Sequence, residues 1–213
     1  MNIVRLAGPA KTTGVGGTLS IVTLAEFQAY INEDSEAGVD ARQQILLDSA
    51  CYGAFSAMGG RFILRPATEF DMVLSSIDIG ETIFLPQYPI GTISVLELGY
   101  MSGNGIWTSQ TTVTTGDYYV DSDTGRVYGN WPLTLHSIRV KWPGGFLAAD
   151  VPADVKEAVM IWAAVKLQRA RRSRWDVKTL QAASEGYAYI ETDLPESAAA
   201  IFRKYSLATA TAA

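Results

Sequence analysis

Four arginines fall within six residues, at Arg169, Arg171, Arg172 and Arg174, with Lys166 just upstream, in a chain whose formal net charge is -5. A guanidinium group is permanently charged and presents a planar fork of donors that matches carboxylate or phosphate. The chemistry on offer is therefore binding rather than bond breaking. Neighbouring side chains on a helix diverge by ~100°, so four arginines at this spacing cannot all face one surface. Three uses are open. They could form a solvated helix end with local ion pairs, dock on an acidic partner surface, or touch DNA phosphates.

Other reactive residue types are sparse. Cys51 is the only cysteine and His136 the only histidine. An intrachain disulfide is excluded, which fits a reducing cytoplasm, and so is a cysteine-based zinc site within one chain. His136 precedes a strand and reads as a strand-edge residue. No Gly-x-Ser-x-Gly or comparable nucleophile motif accompanies it, so no catalytic site is expected. Asp117, Asp121 and Asp123 have the look of a cation loop. However, calcium wants a late bidentate acid that is missing here, so these aspartates read as turn formers. Gly14, Gly16 and Gly17 lack the following Gly-Lys-Ser/Thr of a phosphate loop. Trp107 and Trp131 sit near turns, where an aromatic can serve as an interface anchor, although loop packing competes for them. No cofactor and no metal is expected.

The composition bounds the remaining classes. With 213 residues, 48% of them hydrophobic and 18% charged, the chain suits one globular domain or one domain with an insertion. The acidic balance, with a sequence pI of about 4.9, argues against a globally basic nucleic-acid binder. No apolar run approaches the ~20 residues that cross a bilayer. Residues 1–20 lack the continuous apolar stretch of a secretory signal.

The elements that must position these residues can be read from periodicity. Residues 1–20, rich in Gly and Thr, read as a flexible N-terminal arm, and 208–213 as a flexible tail. Thr23 with Glu26 makes a capping box ahead of a helix over about 23–32. Asp40 is expected to cap a second helix over 41–58, stopped by Gly59 and Gly60. From Arg61 the apolar period becomes two, giving a β insertion over about 61–142. Within it, Phe62 and Leu64 predict a strand, and Thr92–Leu98 predicts another with a bulge at Val95–Leu96. Asp121–Gly125 turns a hairpin, and Ile138, Val140 and Trp142 share one face of a half-buried strand. Pro152 opens a long helix over 153–174 whose middle is apolar nearly all round, the mark of a central or intersubunit helix. A further helix near Val177–Ser184, a strand over Gly186–Thr192 and a last helix over 196–206 complete the chain. The fold class is α+β: a small helical bundle with a long antiparallel β insertion between the second and third helices, plus a C-terminal strand and helix.

Several segments, in this order, resemble the tailed-phage head–tail connector proteins, the adaptor family that completes the head beneath the portal. They are Thr23-Leu-Ala-Glu-Phe27, Leu85-Pro-Gln-Tyr-Pro-Ile90 with Ile93-Ser-Val95, and Asp117-Tyr-Tyr-Val-Asp121 with Gly125-Arg-Val-Tyr128. Ile138-Arg-Val-Lys-Trp-Pro-Gly-Gly-Phe146 follows, leading into Val151-Pro-Ala-Asp-Val-Lys-Glu-Ala-Val159, and Asp193-Leu-Pro195 with Tyr205 closes the series. The resemblance spans residues 21–207, one connector domain, and rests on order and spacing rather than on any single motif. The N-terminal arm and a long segment over Gly60–Thr82 depart from the family pattern.

The resemblance implies a structural protein of the virion neck, assembled in the host cytoplasm, with no membrane partner. It implies a homo-oligomeric ring, twelvefold, between the portal protein and the next neck or tail-completion protein, with packaged DNA passing through the channel. On that view Arg169, Arg171, Arg172 and Arg174 meet the portal or the channel DNA. The competing function is a DNA-binding protein that uses the same basic helix end.

Overall fold

A computed structural model describes residues 3–7, 19–33, 37–74, 82–102, 104–129, 131, 137–179 and 194–206. The chain divides into two compact units, a sheet unit (residues 1–11 and 62–150) and a helical unit (12–61 and 151–213). The fold is mixed α+β, with an antiparallel β insertion between the second and third helices. The division falls at the borders of that insertion, although the sequence pattern groups 21–207 as a single domain.

The sheet unit holds two antiparallel sheets. The larger runs β1 (Ile3–Ala7), β2 (Phe70–Leu74), β8 (Ser137–Trp142), β4 (Val95–Met101) and β5 (Trp107–Thr112) in that spatial order. The central β8 alternates as expected, with Ile138, Val140 and Trp142 buried and Ser137, Arg139 and Lys141 half-buried. Its register forms apolar rows across the sheet, because Ile138 lies between Leu74 and Leu98, and Val140 between Met72 and Leu96. Each such side chain contributes about 1.5–3 kcal/mol when fully buried. Trp142 closes one end of the layer, with its ring 5.6 Å from Phe70, which in turn lies 5.6 Å from Phe62. The smaller sheet is β3 (Thr82–Phe84), β7 (Arg126–Gly129) and β6 (Tyr118–Asp121), with Ile83 and Val127 buried.

The helical unit contains α1 (Leu24–Ile31), α2 (Ala37–Ala57), α3 (Ala153–Thr179) and α4 (Glu196–Lys204). Thr23 and Glu26 form the expected capping box, and Asn32 ends α1 in the left-handed region at φ 54°. Helices α2 and α3 approach closely at Gly53, where an added Cβ would lie 2.2 Å from the Trp162 ring. The Trp162 ring lies 6.0 Å from Phe202 of α4, so one indole joins three helices.

Several expectations need correction. Within the supposed flexible arm, Ile3–Ala7 pair with Phe70–Leu74 as an edge strand, an outcome open to a short apolar segment with two β-branched residues. Helix α2 starts at Ala37, so Asp40 sits in its first turn rather than capping it, and its carboxylate accepts instead from Gln28 Nε2 at 2.6 Å. Phe62–Leu64 is not a strand. It makes one bridge, Leu64 to Phe146, fixed by Phe146 N–H donating to Ile63 O at 2.7 Å and Arg65 N–H to Phe146 O at 2.8 Å. The bulge in β4 falls at Leu98–Gly99, not at Val95–Leu96, because only a glycine fits where a Cβ would meet Thr108 O at 2.2 Å. Helix α3 continues to Thr179 without a break, beyond the expected end at Arg174. The expected Gly186–Thr192 strand, the tail 208–213 and His136 lie outside the described residues.

Candidate functional site

The basic end of α3 is organised by its own chain. Arg171 forms an ion pair with Glu33, just past the end of α1, and its side chain is 52% exposed. The other Glu33 oxygen, Oε2, accepts from Gln43 Nε2 at 2.6 Å. Gln43 Oε1 accepts from Gln28 Nε2 at 3.0 Å, and Gln28 also reaches Asp40. Gln28 and Gln43 are buried. Their amides are therefore spent on a network, as buried polar groups require. Arg42 adds a second tie, donating from Nη2 to the Ala170 carbonyl at 2.9 Å. Of the four predicted arginines, Arg171 is thus held by an internal acid, and Arg169 is half-buried. The side chains of Arg172 and Arg174 lie outside the described residues.

A second polar cluster, missed from sequence, fastens α4. Asp154, in the first turn of α3, accepts from Tyr205 Oη at 2.9 Å and Lys204 Nζ at 3.0 Å. Arg61 Nη1 donates to the Tyr205 carbonyl at 2.9 Å, with its guanidinium over the same ring. Partial burial pushes the Asp154 carboxyl up, but the bonds from Lys204 and Tyr205 outweigh it and hold it below the usual range. In the sequence Tyr205 falls in the last helix and in the closing segment of the connector resemblance, with no partner indicated. The signal available was a charged residue beside a phenol at the end of an amphipathic helix, which names no partner. Glu26 has a double role as well. Its Oε2 completes the capping box and its Oε1 accepts from Lys156 Nζ at 2.8 Å.

In the sheet unit, charge runs across strands. Arg139 on β8 donates twice to Asp71 on β2, at 3.0 and 2.8 Å, while Lys141 lies 3.4 Å from the same carboxylate. Burial raises the Asp71 carboxyl, and Arg139 and Lys141 together bring it below the normal value. On the other side of β8, Arg139 lies 3.9 Å from Glu97 on β4, which accepts from Trp107 Nε1 at 2.9 Å. Trp107 is therefore a cross-strand packing residue whose ring covers Gly99, and it is only half-buried. Trp131 is 5% exposed with its ring against Gly129, so within this chain it packs inward and presents no surface for an anchor.

Asp121 accepts from Thr124 Oγ1 at 2.6 Å and Asp117 accepts from Thr114 Oγ1, the work of turn residues. Gly125 follows at φ 75°. Among the described residues no group of three or more His, Cys, Asp or Glu could hold a metal ion. Cys51 is buried, and burial pushes its thiol up to about 11 despite backbone N–H groups of Ile21 and Val22. No helix among the described residues is long and apolar enough to cross a membrane.

No protein-family model and no curated protein matches the sequence. Solved structures do. A chain from the neck of an empty gene transfer agent particle, computed with C6 symmetry, is 18% identical with a TM-score of 0.58, over 97% of this chain and 95% of that one. A chain from the virion of the native gene transfer agent particle is 15% identical with a TM-score of 0.53, over 97% and 95%. A chain from the neck of the native particle, computed with C12 symmetry, is 16% identical with a TM-score of 0.50, over 95% and 94%. At these identities the likeness defines a fold class. This chain shares the fold of proteins from gene transfer agent particles, along nearly its whole length.

Proposed function

We propose that the chain is a structural head–tail connector of a tailed phage or phage-like particle. Copies close into a ring, twelvefold, beneath the portal protein. The ring extends the DNA channel and offers a platform to the next neck or tail-completion protein. The work is assembly and involves no chemical turnover. Docking surfaces meet, termini order, and heterologous contacts close by rotation. The observation that carries this reading is the full-length fold likeness to chains from particle necks computed with C6 and C12 symmetry. The order of sequence segments that resemble the connector family supports it independently.

The rival, a DNA-binding protein acting through Arg169–Arg174, is weakened by the pairing of Arg171 with Glu33. It predicts free-DNA affinity that falls steeply with salt. The test is electron microscopy of tailed particles carrying a tag on this chain. Label at the neck, with several copies per particle, is expected. Label absent from particles that contain portal and tail would remove the connector assignment.

A further inference from the structure

The tip of the β4–β5 hairpin holds a reactive pair of residues that the assembly reading leaves unused. Met101 ends β4, Trp107 begins β5, and residues 102–106 join them. Asn104, Gly105 and Ile106 are exposed, as residues at loop tips usually are. Gly105 N–H donates to Ser102 O at 2.9 Å, Ser102 N–H to Ile106 O at 2.9 Å and Ile106 N–H to Ser102 Oγ at 3.2 Å. Gly105 adopts φ 74°, and an added Cβ would meet nothing within 4 Å, so that side of the residue is open to solvent.

An asparagine side-chain amide can be attacked by the backbone nitrogen of the residue that follows it. A bulky following residue hinders the approach, and glycine does not. Asn104 alone precedes a glycine, since Asn2, Asn32 and Asn130 are followed by Ile3, Glu33 and Trp131. Asn32 is also tied down as the cap of α1, where its own N–H donates to the Ala29 and Gln28 carbonyls. At Asn104 an exposed amide, an unhindered nitrogen and open space come together.

We propose that Asn104 is a site of spontaneous deamidation, with water as the co-reactant. The Gly105 nitrogen gives up its proton to solvent and bonds to the Asn104 side-chain carbonyl carbon, and the side-chain nitrogen leaves as ammonia. Water then opens the resulting succinimide. Cleavage at the side-chain carbon leaves an aspartate. Cleavage at the backbone carbon leaves an isoaspartate, whose peptide link runs through the side chain. One water is consumed, one ammonia is released, and nothing is oxidised or reduced. Either product brings a carboxylate into the run from Leu98 to Gly116, which has no charged side chain. Isoaspartate also lengthens the backbone by a methylene between Ser102 and Ile106, whose mutual hydrogen bonds depend on the present spacing. The reaction loosens the hairpin tip with age, and it does not depend on the connector reading.

The test incubates the folded full chain in mildly alkaline buffer, with Asn104→Gln and Asn104→Asp beside it. Samples are followed by peptide mapping with mass spectrometry and by labelling with an isoaspartate methyltransferase. In the wild type, position 104 is expected to convert first, with isoaspartate as the main product, while Asn32 stays intact. Asn104→Gln should gain no label, because its longer side chain would have to close a larger ring. Hydrogen exchange supplies the second readout. The aged wild type should lose protection at the Ser102 and Ile106 amides, whereas Asn104→Asp, which adds the charge without lengthening the backbone, should keep it. Conversion at position 104 only after unfolding in denaturant would mean that the turn blocks the attack, which overturns the proposal. Earlier conversion at Asn2, Asn32 or Asn130 overturns it as well. Full protection of Ser102 and Ile106 in the converted chain would overturn the loosening of the tip.

Discussion

The two units use charge in opposite ways. In the sheet unit the decisive ion pair is inside, with Asp71 only 6% exposed and locked by two hydrogen bonds to Arg139. In the helical unit the pairs Lys156–Glu26, Arg171–Glu33 and Lys204–Asp154 sit at the surface. A strand needs its register fixed, since a one-residue slip turns every side chain to the wrong face. A buried acid bridging adjacent strands penalises that slip. A helix needs no such lock, because its own backbone satisfies it. Its neighbours are set by shape, here by Gly53 against Trp162. The comparison teaches where substitutions will hurt: polar ones in the sheet, steric ones between the helices.

The largest effect tests the sheet core that both kinds of bond serve. Trp142→Ala empties a fully buried site and removes the indole Nε1–H that donates to the Gln87 carbonyl at 2.8 Å. A loss of about 3–5 kcal/mol is expected by chemical denaturation. Next comes Asp71→Ala, which leaves Arg139 without its main acceptor and should cost about 2–3 kcal/mol. The folded Asp71 carboxyl titrates below its unfolded value near 4, so its stabilisation is full above that pH and is lost as pH falls through the folded value. Asp71→Asn should therefore flatten the acid limb of a melting-temperature profile. An unchanged acid limb would show that the pair does not stabilise the unit.

Third, Gly53→Ala tests shape in the helical unit. Alanine gains about 1 kcal/mol of helix propensity, but its Cβ would overlap the Trp162 ring, and overpacking costs about 1–3 kcal/mol. Net destabilisation is expected, and partial rescue by Trp162→Phe would trace it to that contact. A stabilised Gly53→Ala would mean that the helices part easily, against the comparison drawn above.

Legibility in the sequence follows the range of each interaction. Thr23 and Glu26 are three residues apart, and their capping box was readable. So were the alternation of Ile138, Val140 and Trp142 and the turn closing at Gly125. Asp40 misled because its carboxylate accepts from Gln28, twelve residues away and brought near only by the helix pair. The Leu98–Gly99 bulge depends on a carbonyl from the next strand. In the candidate site the arginine density was visible, yet the partner of Arg171 is 138 residues distant. Trp131 shows the same limit, since a tryptophan near a turn reads alike whether its ring packs in or out.

The smallest stability effect is expected at Arg171, where the functional effect should be large. Its pair with Glu33 is exposed, and such pairs contribute under ~1 kcal/mol. Glu33 also keeps its bond from Gln43 when Arg171 is lost. Changing Arg171 and Arg172 together to Glu should therefore leave the thermal melt within a few degrees of wild type, slightly lower because the introduced carboxylate would face Glu33. If this helix end docks on an acidic portal surface, the same variant fails to attach to portal-bearing heads, since like charges at a contact oppose binding. Arg171→Gln separates the two roles. It removes the internal pair without reversing charge, so it should melt slightly above the double variant and retain most attachment. Normal attachment by the folded double variant would leave Arg171 as a structural tie to Glu33, of the same kind as Lys156 with Glu26. Attachment intact with DNA retention lost would instead assign the basic end to the channel.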